Sequence, residues 1–169
     1  MNSTAKKCAV LVVMALAISL PSFSTLTISS EGLLLLANAE GCRTSPYQCS
    51  AGVWTNGIGH TRGVIPTTEV NERQIAINLI DDVQRVESGI ARCMPVAMPQ
   101  GVYDATVSFA FNVGVGAVCR STYARLINQQ QWAAACDQLM RWVYVKGVRN
   151  KGIETRRTAE RALCLKGAQ

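Results

Sequence analysis

Three residues in the first third of the chain carry the candidate chemistry: Glu40, Cys49 nine positions on, and Thr55 six beyond that. They lie in the stretch EGCRTSPYQCSAGVWTNGIGHT, residues 40–61, which also holds Cys42 and the only histidine, His60. A carboxyl, a thiol and a hydroxyl that converge on one cleft suit hydrolysis of a glycosidic bond. The acid protonates the leaving oxygen, while a second group on the opposite side either activates water or attacks the sugar carbon. A carboxylate usually fills that second role. A thiolate can do either job if its proton is readily lost, and a threonine hydroxyl can hold the attacking water. The local sequence ANAEGC offers little charge to keep Glu40 ionised, which suits an acid that keeps its proton by burial. His60, alone in a Gly-rich segment, reads as a hydrogen-bonded structural residue rather than a base.

Positioning these groups requires a helix that ends at Glu40 and a hairpin that folds back over that end. SSEGLLLLANAE has a serine cap, an acid in the first turn and an apolar run, and predicts a helix over 30–40. From Thr44 to Thr61 the glycines and short β-branched pieces predict a small β-hairpin. Ile75, Leu79, Val83, Val86 and Ile90 fall at helical spacing, predicting the longest helix, which stops before Pro95. MPQGVYDATVSFAFNVG places Val102, Ala105, Phe109 and Val113 on one buried stripe with Gly114 as its stop. Shorter helices are expected over 122–128, 132–143 and 153–165, with Ser121 and Thr122 as caps and Trp132 and Trp142 in the core. The architecture is α+β, mostly helical with a small sheet beside the helical body.

A length of 169 residues suits one globular unit. Lys plus Arg number 17 against 11 Asp plus Glu, a formal charge of +6, which favours a polyanionic partner. Basic residues are not interleaved with aromatics, and no helix-turn-helix or zinc-finger spacing is present, so nucleic acid is not the expected partner. Behind Lys6 and Lys7, no charge occurs from Cys8 to Ser30. This leader reads as an export signal that sends the following chain outward. As a single helix, Cys8 to Ile28 reaches about 31 Å, just enough for a bilayer, although Ser19, Pro21, Ser22, Ser24, Thr25 and Thr27 weaken its second half. SFS at 22–24 fits a cleavage site, so the leader is either removed or retained.

Export also decides how the cysteines read. Seven cysteines in an oxidising compartment pair as disulfides and leave one thiol over. With no Cys-x-x-Cys pair and a single histidine, neither a zinc site nor any other metal or cofactor is expected.

The segment AEGCRTSPYQCSAGVWTNGIGHT resembles the active-site segment of phage-type lysozymes, the endolysins of glycoside hydrolase family 24, in which Glu, Asp or Cys, and Thr stand at the spacing of Glu40, Cys49 and Thr55. The resemblance continues through FNVGVGAVCRST (111–122) and KGIETRRTAERALCL (151–165). It implies a lysozyme-like fold, the catalytic set Glu40, Cys49 and Thr55, and hydrolysis of the bond between N-acetylmuramic acid and N-acetylglucosamine in peptidoglycan. Most members have Asp where this chain has Cys49, a departure that leaves both an inverting and a retaining course open. The leader is similar to that of the signal-arrest-release subset. That likeness implies an uncleaved, weakly transmembrane segment over 1–28 and a catalytic domain over 29–169. It further implies a monomer held on the host inner membrane through 8–28, facing the periplasm, and later released into it. It implies a switch as well: Cys42 bonded to Cys49 on the membrane, then Cys8 taking Cys42 and liberating Cys49. Order and resemblance pair Cys93 with Cys119 and Cys136 with Cys164. The competing expectations are a secreted muramidase with a cleaved leader and a peptidoglycan-binding protein without activity.

Overall fold

The computed structural model describes residues 7–49 and 52–169. Lys6, one of the two lysines ahead of the leader, lies outside the described residues, as do residues 50 and 51 of the expected hairpin. In chain order the elements are α1 (Val10–Ser19), a 3-10 turn (Pro21–Thr25), α2 (Ser30–Glu40), β1 (Arg43–Gln48), β2 (Trp54–Gly57), α3 (Glu72–Cys93), α4 (Gln100–Val113) and α5 (Val115–Cys119). They continue with α6 (Thr122–Asn128), α7 (Trp132–Gln138), a 3-10 turn (Leu139–Arg141), β3 (Tyr144–Val145), β4 (Val148–Arg149) and α8 (Lys151–Gly167). The mostly helical α+β architecture is the one expected, with β1 paired to β2 and β3 to β4 in two antiparallel hairpins. The chain forms two compact units where its length suggests one. The first comprises residues through Leu26 together with Ala37–Gln84, and the second comprises Thr27–Leu36 and Arg85–Gln169.

In the first unit the leader departs from the single helix expected over 8–28. Helix α1 stops at Ser19, Leu20 is extended with ψ 136°, and only a 3-10 turn follows. Pro21 is the physical cause: it lacks an N–H and its ring drives the preceding residue out of the helical region. Hydroxyls complete the break, with Ser24 donating to the Pro21 carbonyl and Thr25 to that of Ser22, both at 2.7 Å. Among the described residues no helix is long and apolar enough to cross a membrane. Val13, Met14 and Ala17 of α1 are buried, while Leu11, Val12 and Ile18 are exposed. Ile58, Ile75, Leu79 and Val83 contribute further buried apolar side chains to this unit. Gly57 takes φ +58°, and a Cβ there would stand 3.2 Å from Ile75, so glycine lets β2 end tightly against α3.

In the second unit α4 and α8 approach at backbone distance, since a Cβ on Gly101 would meet the Leu163 carbonyl oxygen at 2.6 Å. Phe109 of α4 stacks edge-on against Tyr123 and Trp142, with centroids 5.3 and 5.2 Å apart. Two disulfides staple the unit, Cys93 to Cys119 and Cys136 to Cys164. The helix expected over 132–143 ends early at Gln138. Beyond it, the Trp142 carbonyl accepts from Arg157 Nε and the Val143 carbonyl from the Asn150 N–H, so both are used outside any helix. The stretch KGVRNKG, expected as a connector, instead supplies the turn and second strand of the β3–β4 hairpin and the start of α8. Ser121 caps α6 by accepting from the Ala124 N–H.

The fully buried Glu160 accepts from Arg156 Nε at 2.9 Å, from Ser108 Oγ at 2.6 Å and from Arg157 Nη1. Its removal would leave two buried guanidinium groups without their carboxylate. Glu160→Ala is therefore expected to cost about 3–5 kcal/mol, read as a lower urea midpoint at an unchanged slope. A loss below about 1 kcal/mol would mean that the cluster is solvated in solution.

Two acids seat the backbone ahead of α2. Glu87 accepts from the N–H groups of Thr27 (2.9 Å) and Ile28 (2.7 Å), and Asp104 accepts from the N–H of Ser29 (2.9 Å) and from Gln100 Nε2 (2.7 Å). Burial pushes the Glu87 carboxyl above the usual glutamate range, against the downward pull of its two N–H donors. A carboxyl raised in the folded state lends its stability below its unfolded value, near pH 4, and loses it as pH rises through the folded value. Glu87→Gln keeps a carbonyl acceptor and has no charge to desolvate. It should gain thermal stability relative to wild type between about pH 4 and pH 7. An offset in Tm equal at both pH values would rule out that role.

Candidate active site

Helix α2 delivers Glu40 at its last residue, and Gly41 ends the helix at φ +73°, its N–H returning to the Ala37 carbonyl at 3.0 Å. The chain then enters β1, so the acid stands one turn away from the hairpin, as the spacing predicts. Cys49 follows β1 immediately. Its N–H donates to the Val53 carbonyl at 3.0 Å, and the Gly52 N–H donates back to the Cys49 carbonyl at 2.8 Å. Thr55 lies in β2, 3% exposed, with its hydroxyl donating to the Val53 carbonyl at 3.1 Å. Glu40, Cys49 and Thr55 all belong to the first unit.

The register adds a residue that motif spacing missed. Tyr47 is the cross-strand neighbour of Thr55. Burial raises its phenol above the ordinary tyrosine range. The Arg43 charge pulls it down, and Glu40 and then Cys49 push it further up. Two of the three candidate catalytic groups, Glu40 and Cys49, therefore bear electrostatically on the Tyr47 hydroxyl. Strand alternation, which puts Tyr47 on the same side as Cys49 two residues on, was the only sequence signal pointing to it; the register came from the fold.

Cys8 is bonded to Cys42, with Cα atoms 5.2 Å apart, and Cys49 keeps a thiol. Backbone pairing accompanies the bond: the Cys8 N–H donates to the Cys42 carbonyl at 3.3 Å, and Lys7 forms an antiparallel bridge with Arg43. The leader thus extends the β1 edge. His60 lies beyond β2, where its backbone exchanges two hydrogen bonds with Asn56 at 2.9 and 3.0 Å. Its Nδ1 meets Asp82 of α3 at 2.6 Å. The ring is thus buried and held through Nδ1 by Asp82, while Asn56 holds the backbone. Asp82 itself is pushed above the usual aspartate range by burial, with His60 pulling the other way.

A model of the phage lysozyme family matches residues 37–160. The SAR-endolysin of Escherichia phage P1 is 36% identical over 152 residues, covering 82% of both sequences. The solved structure of the active form of P1 phage endolysin Lyz aligns with a TM-score of 0.86 at 32% identity, covering 96% of each chain. The secreted inactive form of the same endolysin aligns with a TM-score of 0.58 at 34% identity, over 82% of this chain and 96% of that one.

Proposed function

Because the chain belongs to the phage lysozyme family, and is thus a glycoside hydrolase of the lysozyme type, we propose that it is an endolysin that cuts peptidoglycan with Glu40, Cys49 and Thr55. The bond cleaved is the β-1,4 link between N-acetylmuramic acid and N-acetylglucosamine. Glu40 donates its proton to the leaving oxygen. Cys49, as the thiolate, either takes a proton from water or attacks the anomeric carbon, and Thr55 holds the water. The observation that carries this reading is the gathering of the three residues in one compact unit, at the end of α2 and on the β1–β2 hairpin.

We further propose that residues 1–28 are a weak membrane segment of the signal-arrest-release kind and 29–169 the lysozyme body. The chain is first a monomer anchored in the host inner membrane through 8–28, facing the periplasm, and is then released. On the membrane Cys8 is out of reach and Cys42 bonds Cys49. After release the Cys8 thiolate attacks the Cys42 sulfur, the bond from Cys42 to Cys49 breaks, and Cys49 departs as a thiolate. The bond from Cys8 to Cys42 and the thiol on Cys49 are the features of the released form in this scheme.

Strand geometry supports two exclusive states. With β1 extended between them, Cys42 and Cys49 stand on the order of 20 Å apart, whereas a disulfide needs Cα atoms within about 7 Å. Closing the ring from Cys42 to Cys49 therefore requires β1 to come apart, together with the pairing that places Tyr47 opposite Thr55. The weaker likeness to a secreted inactive form than to an active form accords with such a rearrangement.

The test couples two mass-spectrometric measurements. Muropeptides released from purified cell wall must end in reducing N-acetylmuramic acid, and any other terminus removes the muramidase assignment. Thiol-blocked peptides from membrane and soluble fractions must show Cys42 joined to Cys49 in the first and Cys8 joined to Cys42 in the second. A chain lacking Cys8 in both would make this a secreted muramidase without a switch.

A further inference from the structure

Tyr47, Cys49 and Thr55 share one face of the β1–β2 hairpin. Tyr47 and Thr55 are register neighbours, and the hydrogen bond from the Cys49 N–H to the Val53 carbonyl carries the ladder one residue past β1. Residues two apart on an extended chain point the same way, so Cys49 follows Tyr47 onto that face. The Arg43 guanidinium carbon lies 4.4 Å from the centre of the Tyr47 ring, a cation–π contact that holds the ring against rotation. Arg43 is itself tied by the backbone bridge to Lys7 and by its position next to the disulfide of Cys42.

Burial keeps the phenol protonated wherever the enzyme works, and the neighbouring Glu40 and Cys49 reinforce this. A tyrosine in that state is neither base nor nucleophile. It is a hydrogen-bond donor beside two groups that carry negative charge during the reaction.

We propose that Tyr47 is a positioning residue that acts through Cys49, its hydroxyl donating to the sulfur so that the thiolate is favoured and held on the hairpin face it shares with Thr55. The inference rests on the catalytic reading of Cys49 above. A donor to the charged form favours ionisation, and a charge-assisted bond is stronger than a neutral one. Arg43 holds the ring in place and adds a favourable charge. No proton changes owner, since the phenol stays neutral throughout.

The test compares wild type with Tyr47→Phe, which keeps the ring and the Arg43 contact and removes only the donor, using the full-length soluble protein with its disulfides intact. Alkylation of Cys49 by iodoacetamide is followed from about pH 5 to about pH 9. Tyr47→Phe should slow it at neutral pH by about threefold or more and converge on wild type in alkali. For wall hydrolysis, kcat should fall roughly tenfold with KM within about twofold. In a Cys49→Asp parent, whose carboxylate ionises unaided, adding Tyr47→Phe should change kcat by less than about twofold. An alkylation profile unmoved by Tyr47→Phe overturns the proposal, as does an equal kcat loss in the Cys49→Asp parent, which marks a merely structural tyrosine. Wild-type protein unable to hydrolyse wall would instead overturn the muramidase reading, and the alkylation comparison would still decide the role of Tyr47.

Discussion

Glu40→Gln is expected to lower the rate of wall hydrolysis by about three orders of magnitude while leaving the free energy of unfolding within about 0.5 kcal/mol of wild type. Glutamine keeps the length, the planarity and one carbonyl of glutamate, so the end of α2 and the turn at Gly41 have no reason to change. What it lacks is a proton that can leave for the glycosidic oxygen. Protonation of the leaving group is the step for which the hairpin residues offer no substitute, because Thr55 is far too weak an acid and Cys49 serves on the opposite side of the sugar in the proposed scheme. The assay is reducing-end release from purified peptidoglycan, with denaturation curves in parallel. A loss below about tenfold with an intact fold would sink the assignment of Glu40 as the acid.

Cys8→Ser carries the second large effect. Without that thiol nothing attacks Cys42, so the released chain should keep Cys42 bonded to Cys49 and lyse walls at least about a hundredfold more slowly. Stability is a confounding term. The bond from Cys8 to Cys42 spans 34 positions of sequence, and its loop-closure entropy is worth roughly 4 kcal/mol. A protein that is merely unstable would also lyse poorly. The double variant Cys8→Ser/Cys42→Ser separates the two explanations. It lacks the same bond and the same stability, yet Cys49 has no cysteine left to be caged by. Under the exchange scheme it should recover a substantial part of the lost activity, measured below its own melting temperature. A double variant as inactive as Cys8→Ser would show the bond to be a staple for the leader and nothing more.

Local patterns were readable where one element decided its own fate. Helix α2 has the bounds that its serine cap and apolar run predict, α6 those given by Ser121 and the following turn, and α4 stops at Gly114 because that residue sits at φ +89°. The pattern failed where two local preferences competed. The leader is apolar enough to read as a single helix, yet Pro21 and the hydroxyl-rich segment after it divide it. It failed again where a distant segment claimed a backbone group, as at Trp142, whose carbonyl is taken by Arg157. In α8 the charged side chains of Arg157 and Glu160 are completely buried, and α4 supplies Ser108 and Asn112 to complete their hydrogen bonds, a pairing that spacing along α8 does not specify.

Within the candidate site, residue type and spacing put Glu40, Cys49 and Thr55 forward as candidates, and seven cysteines required that one thiol be left over. These are properties of the linear chain, since counting and separation along it do not change on folding. The identity of the remaining thiol, the placement of Tyr47 opposite Thr55 and the pairing of His60 with Asp82 were decided only by tertiary structure. Disulfides form between sulfurs that folding brings within a few ångströms, and strand register depends on which carbonyls meet which N–H groups across a turn; neither distance is encoded in sequence separation.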